Sequence, residues 1–354
     1  MLYAKCIQNG IGLTICAPKP DKTFALRKDA IDYPAFICKI SVIRLKMIGR
    51  QVHFFRLPHG IRFNSFDLVI MEQSLKNLQY IILLFQRMKK TKIALWGHGK
   101  TIVKKKSKIE ASILLFLSKR ADFFFSYTAE GRNYLVGKGY AEHKSVVLQN
   151  SHSSLDRLIR IENKQKQIMR SLKSKSYHCC FIGAIEESKG IQFLLDSLPI
   201  IKEAIPNFEF TFIGDGPSQK LVTDMVRSTD YVNWLGYRNQ SDIDEISHTF
   251  SLILNPGRVG LIAVDSLILL LPIVTLRNSY HAPEYEYIKD NGTSIAVGGS
   301  FRDYACEVIH LLENPEKIKK MCELSSTIRV NYTLEVMVEN FMKGIIACLS
   351  EDKN

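Results

Sequence analysis

Short apolar runs alternate with amphipathic stretches through the second half of the chain. Tyr177–Ile182 (YHCCFI) closes on Gly183, and after a polar loop a helical pattern runs from Ile191 to Ala204. Phe208–Ile213 (FEFTFI) closes on Gly214-Asp215-Gly216-Pro217 and leads into a helix over Ser218–Ser228. Tyr231–Leu235 is a third strand, ending at Gly236. Ser241–His248 reads as helix, Ser251–Leu254 as strand, Val259–Leu270 as helix, and Pro272–Leu276 and Thr293–Val297 as strands. Strands that alternate with helices of this length imply right-handed βαβ units and a parallel sheet with helices on both faces. The near-continuous apolar character of the strands agrees with burial on both sides.

The first half has the same rhythm. Gly12–Cys16, Gln51–Leu57, Asp67–Met71, Lys92–Trp96, Asp122–Ser126 and Ser145–Leu148 read as strands, and Ser74–Met88, Lys108–Lys119 and Ala129–Lys138 as helices. Ser151–Ser176 is polar and charged without strand periodicity, which places an interdomain linker there. Leu334–Leu349 has helical periodicity. The expected organisation is an α/β chain of two Rossmann-like domains, 1–150 and 177–333, joined by 151–176 and followed by a C-terminal helix in 334–354. A length of 354 residues suits two domains of ordinary size.

Charge divides the chain unevenly. The formal net charge is +13; residues 1–160 hold 28 Lys and Arg against 10 Asp and Glu, and residues 161–354 hold 20 against 25. The basic half suits an anionic partner, whether nucleic acid, a phospholipid surface or a phosphorylated acceptor. No helix-turn-helix, RRM or zinc signature supports nucleic acid. The eight cysteines show no CxxC spacing and fit a reducing compartment, hence a cytoplasmic setting, better than a disulfide framework. The opening MLYAKCIQNG lacks a basic segment followed by an apolar one, so no signal peptide is expected. Phe250–Leu276 is long enough to span a bilayer but contains Asn255, Pro256, Arg258 and Asp265, and reads better as strand, turn, helix and strand.

In an open α/β sheet, ligands bind beyond the carboxyl ends of the strands. Three loops there are marked by glycine: Gly183…Gly190, Gly214–Pro217 and Gly257…Gly260. Glycine permits close backbone approach, and a helix start offers free N–H groups to phosphate. Lys189, just before Gly190, is placed to neutralise a diphosphate. Asp242-Ile243-Asp244 has the DxD form of metal-dependent transferases, but it falls in a helix-start pattern, where acidic residues favour the dipole. Ser126 and His98 have no acid at a spacing that supports a hydrolase triad.

FIGAIEESKGIQFLLDSL, FTFIGDGPSQKL, VNWLGY, LNPGRVGLIAVDSLILLLPIVT and HAPEYEYIKDNG, in this order from Phe181 to Gly292, resemble the C-terminal domain of family-four retaining glycosyltransferases of GT-B architecture. WGHGK at 96–100, FSYTAEGRNYL at 125–135 and VLQNS at 147–151 are similar to the N-terminal domain of bacterial polysaccharide and lipopolysaccharide members. The resemblance implies two Rossmann-like domains facing across a cleft, a nucleotide-diphosphate-sugar donor, a glycan or lipid-linked acceptor, and no metal or other cofactor. It implies cell-surface polysaccharide synthesis at the cytoplasmic face of an anionic membrane. Lys189 matches the family's diphosphate lysine, and Asp265 the acidic residue that holds the ribose. Glu284, with His281 beside it, matches a loop near the sugar, Leu235 and Gly236 the backbone around the base, and His98 a cleft histidine. Gly183, Gly190, Gly214, Gly260 and Leu261 fall on donor-binding backbone. Lys100 is a further candidate for phosphate.

This chain departs from the family pattern at two positions. Ala184 stands where an arginine is usual, and Gly257 where the first glutamate of the pair is usual. Arg258, beside it, is the candidate replacement for the missing charge. Residues 1–10 read as the tail of a helix entering Gly12–Cys16, so the usual opening strand and glycine-rich loop are expected to be missing, through a misplaced start, a truncation or a divergent domain. A degenerate relative that binds nucleotide-sugar or glycan without turnover is therefore the alternative reading.

Overall fold

The computed structural model describes residues 1–18, 37–47, 50–86, 90–100, 108–168, 177–277 and 279–351. They form two compact units. One holds the chain up to Leu148 together with the residues from Val338 on; the other is Gln149–Met337.

The second unit is the better match to its sequence pattern. Its strands are β8 (His178–Ile182), β9 (Glu209–Ile213), β10 (Val232–Trp234), β11 (Leu252–Leu254), β12 (Ile273–Leu276) and β13 (Ser294–Val297). All pair in parallel, in the order β10-β9-β8-β11-β12-β13. This is the doubly wound order 3-2-1-4-5-6, which reverses direction between β8 and β11. Alternate residues of each strand feed opposite cores. Cys179 and Phe181 join Phe210, Phe212 and Leu254 under α6 (Ile191–Ala204), α7 (Gln219–Ser228) and α10 (Phe301–Glu313). Cys180 and Ile182 join Ile253 and Ile273 under α9 (Ile262–Leu269) and α5 (Leu155–Ile168). The sheet is thus covered on both faces, as the apolar strand runs require.

Helix α5 lies where a linker was expected. Its Leu158 and Ile161 are buried in the second core. The rest of that stretch, 169–176, lies outside the described residues, as does Met88, the expected end of the helix from Ser74. Helix α11 (Pro315–Ile328) adds Met321 to one core and was not legible as a separate element.

The first unit contains α1 (Leu2–Gln8), β1 (Ile15–Pro18), β2 (Ile37–Met47) and β3 (Arg50–Arg56). β1 pairs with β2 in parallel, while β2 and β3 are antiparallel. β2 was not anticipated. Its outer part alternates Ile43 and Leu45 with Arg44 and Lys46, and all four side chains are exposed, unlike the apolar buried strands of a parallel sheet. A separate four-stranded parallel sheet runs β4 (Leu68–Glu72), β5 (Lys92–Gly97), β6 (Phe123–Ser126) and β7 (Ser145–Val147) in sequence order. Around it pack α2 (Leu78–Gln86), α3 (Lys108–Lys119) and α4 (Ala129–Gly137).

The last helix, α12 (Leu334–Ser350), belongs to the first unit from Val338 on. Phe341 stacks on Phe125 and meets Trp96 edge to face. Gly344 sits against Phe125 and Val146 with no room for a side chain, and Lys92 Nζ donates to the Cys348 carbonyl at 2.5 Å. The helix is therefore part of the fold of residues far from it in sequence.

Candidate functional site

Two loops meet at the strand-order reversal of the second unit. After β8 the chain turns at Gly183, makes a 3-10 turn over Glu187–Lys189, and starts α6 from Gly190 in the left-handed region, φ 70°. After β11 it runs through Asn255-Pro256-Gly257-Arg258 toward α9. The loops hold each other backbone to backbone: Gly257 N donates to Lys189 O at 3.0 Å, and Arg258 N to Ser188 O at 2.8 Å. Lys189 Nζ donates to Arg258 O at 2.6 Å. A Cβ on Gly257 would lie against the Lys189 carbonyl carbon, closer than the 3.0 Å real Cβ atoms keep. The glycine is a condition of this contact, and no glutamate can stand at 257 without moving the Lys189 loop.

Lys189 is half-buried. Burial lowers its ammonium pKa below the ordinary lysine value, the Arg258 charge lowers it further, and Glu186 opposes both. Arg258 itself is exposed, as is Ala184. The loop after β11 is also clamped from its other side. Ser279 Oγ donates to Pro256 O at 2.7 Å, and Ala282 N to Val259 O at 2.8 Å. His281 Nδ1 accepts from Val259 N at 3.2 Å while Nε2 lies 3.0 Å from Leu276 O. Those partners fix a neutral ring with its proton on Nε2. Burial lowers the His281 pKa, the Leu276 carbonyl opposes this, and the Lys189 charge adds to it. His281 is thus a fastener of the Arg258 loop.

The ends of β8, β9 and β10 form the adjoining wall. Gly183 N donates to Ile213 O at 3.0 Å, and Gly214 N to Gly236 O at 2.8 Å. A Cβ on Gly214 would overlap the Gly183 carbonyl oxygen. Trp234 Nε1 donates to Gly214 O, and Leu235 N to Phe212 O. Gly260 and Leu261 immediately precede α9, with Leu261 exposed at its start.

Asp265, by contrast, is drawn into a side-chain network. Its carboxylate lies 2.6 Å from Arg157 Nη1 and 3.1 Å from His152 Nε2. Arg157 is 1% exposed and also forks onto Asp244, at 2.7 Å from Nη2 and 2.9 Å from Nε. Burial alone would raise the Asp265 pKa; the hydrogen bond from His152 and the charge of Arg157 outweigh it, and the pKa falls below the usual value. Burial likewise opposes the Arg157 charge, and the two carboxylates hold its pKa up. The DxD-like pair is accounted for. Asp244 is Arg157's partner, and Asp242 closes a capping box with Asn239 at the start of α8 (Gln240–Ile246), one residue before the Ser241 start expected.

Glu284 is buried and accepts from Asn150 Nδ2 at 2.6 Å. Asn255 is fully buried with neither side-chain amide atom hydrogen-bonded. Sequence reasoning did not single out Asn150, His152, Arg157 or Ser279, because each acts through a partner remote in the chain. Only the position of Asn255, directly after an apolar strand, was a signal.

In the first unit, His98 follows β5. It packs edge to face on Tyr127, and its backbone abuts Gly131 at the start of α4, where a Cβ would collide with the His98 carbonyl oxygen. Lys100 Nζ pairs with Glu130 at 2.5 Å, so its charge is met by a carboxylate. The second-unit candidates come together in two groups: Lys189, Gly190, Gly257 and Arg258 at one point, and Asp265 with His152 and Arg157 at another. His98 belongs to a different unit.

Residues 176–314 match the family described as glycosyl transferases group 1. The alpha-monoglucosyldiacylglycerol synthase of Acholeplasma laidlawii is 22% identical over 164 residues, 44% of this chain and 40% of that one. The chain spans about half the length of the curated relatives it matches. Among solved structures, the UDP-GlcNAc 2-epimerase from Neisseria meningitidis bound to UDP-GlcNAc has a TM-score of 0.61 at 14% identity, covering 98% of this chain and 94% of its own. The pneumococcal O-GlcNAc transferase GtfA in complex with UDP and GlcNAc has a TM-score of 0.57 at 13% identity, covering 88% and 70%. These likenesses show the fold: α/β, of GT-B type, with two parallel-sheet units.

Proposed function

We propose that this chain is a retaining glycosyltransferase that moves a sugar from a UDP-sugar to a glycan or lipid-linked acceptor without a metal. The observation that carries the reading is the mutual clamp of Lys189-Gly190 and Gly257-Arg258 at the strand-order reversal. A helix N-terminus, a lysine and an exposed arginine converge where an open α/β sheet takes its ligands. As the glycosidic bond breaks, charge collects on the leaving diphosphate, and cations already in place there stabilise the transition state. Arg258 takes the part that Ala184 and Gly257 leave open. Gly183, Gly214, Leu235 and Gly236 supply backbone for the base, Glu284 and Asn150 face the sugar, and His98 is the catalytic histidine near the transferred sugar. The names of the structural neighbours support UDP as the nucleotide. The name of the diacylglycerol-glucosylating relative supports a lipid-linked acceptor at the cytoplasmic face of an anionic membrane, within cell-surface glycan synthesis.

Asp265 enters this reading as a ribose ligand only through Oδ2, which Arg157 leaves but His152 Nε2 contacts at 3.1 Å, so a ribose hydroxyl has to share it with or displace the imidazole. A second reading, binding without turnover, is favoured by the exclusion of any side chain at 257. A thermal-shift panel of UDP, GDP, ADP, CMP and dTDP tests the site, and sugar transfer or slow UDP-sugar hydrolysis tests turnover. Stabilisation by UDP with no release of UDP from any UDP-hexose selects the second reading. No stabilisation by any nucleotide overturns both.

A further inference from the structure

Helices α2 and α3 of the first unit carry more apolar surface than their core uses. α3 buries Leu114 and Leu117, yet Ile109, Ile113 and Phe116 recur on its outer side at helical spacing. α2 buries Tyr80, Leu83 and Leu84 and turns Ile82 and Phe85 outward. These five outward side chains are 44% to 70% exposed. They form one patch, because Phe85 and Phe116 lie 6.5 Å apart and the Arg120 guanidinium sits 4.5 Å over Phe85 and 5.9 Å from Phe116. Exposed Lys90, Lys108 and Lys119 flank it in sequence. The two helices contain one carboxylate, the half-buried Glu110. A helix apolar on both faces is ordinarily enclosed or set against an apolar phase.

We infer that this patch seats the protein on an anionic lipid surface, the five apolar side chains entering the acyl boundary and the surrounding cations meeting the headgroups. Charge selects this occupant. A second copy docked by the same face would set Arg120 and the lysines against their own kind, and like charges brought together oppose association. An anionic surface rewards both parts of the patch. No helix among the described residues is long and apolar enough to cross a membrane, so the contact proposed is interfacial. The inference rests on the proposed function only for its use, the delivery of a lipid-linked acceptor.

The test is co-sedimentation of the full chain with vesicles of phosphatidylglycerol and phosphatidylcholine, without donor. Binding is expected to be at least about tenfold tighter than to phosphatidylcholine alone and to weaken with salt. The Ile113→Ser/Phe116→Ser variant is expected to lose about tenfold or more in affinity. Because Lys108 and Lys119 are exposed and replaceable without disturbing the core, Lys108→Gln/Lys119→Gln guards against misfolding, with a loss of roughly fivefold per charge. Phe116→Trp should show a blue-shifted emission on adding the anionic vesicles. Absence of vesicle binding, wild-type binding by both double variants, or equal binding to neutral vesicles overturns the inference. So does a dimer that Ile113→Ser/Phe116→Ser disperses while vesicle binding is absent. UDP stabilisation with no vesicle binding would overturn this inference and leave the donor site standing.

Discussion

At the scale of single residues, two positions decide what the proposed donor site can do. Gly257 is packed so closely on the Lys189 backbone that Gly257→Ala is expected to destabilise the second unit by about 3 kcal/mol, the upper range for forced overpacking. Denaturant unfolding measures this, and Gly257→Glu should fare no better, although it restores the residue usual in the family. Arg258 is exposed and has no such packing role. Arg258→Ala is expected to lower donor turnover about 100-fold, in the range of losing one transition-state donor, with Lys220→Ala within about twofold of wild type. Steady-state kinetics decides, and equal effects sink the role given to Arg258. Lys189 adds a pH dependence. Its pKa is lowered by burial and by Arg258, so it loses its proton before an ordinary lysine does. UDP affinity should therefore fall as pH rises into the alkaline range below the usual lysine value, and Lys189→Arg should remove that fall. Calorimetric titration across pH reads it directly.

At the scale of elements, the buried Arg157 ties α5 to both α8 and α9 through Asp244 and Asp265. Arg157→Ala would leave two half-buried carboxylates without their shared cation, with an expected loss of about 3 kcal/mol, the lower end for breaking a buried pair. The same network sets an acid limit. The folded Asp265 pKa lies below its unfolded one, so at pH values between them the unfolded chain binds more protons. The stabilisation is whole above the unfolded value and is lost as pH falls through the folded one. Asp265→Asn should lack that acid limb in urea midpoints measured against pH. In the first unit, Phe341→Ala removes the ring that packs Trp96 and Phe125, at about 3–5 kcal/mol for a large aromatic truncation. That loss should appear in the unfolding of the first unit.

For the molecule as a whole, the two units have separate cores, so a ligand of the second should act mainly on its own transition. UDP at about 100 times its Kd adds about 2.7 kcal/mol, which is roughly 5–11 °C for a unit of this size. Differential scanning calorimetry would show the upward shift confined to one transition. A shift of the first unit's transition alone would contradict the placement of the site.

Much of the second unit was legible because parallel strands covered on both faces must be apolar throughout. Their ends must also turn tightly, which puts glycine at 183, 214 and 236. The candidate Lys189 was legible for the same reason, standing at the start of a helix that follows such a strand. The sequence by itself therefore determined the α/β class, the βα rhythm, the glycine-marked loops at the strand ends and the division of charge. Strand order, the antiparallel β2–β3 pair, the return of the last helix to the first unit, and the capture of Asp265 by Arg157 were decided only in three dimensions. Each depends on contacts between residues distant in the chain, and local periodicity holds no record of them. The clamp at Lys189 and Gly257 belongs to both levels: the glycine is visible in the sequence, but the backbone that forbids a side chain there is 68 positions away.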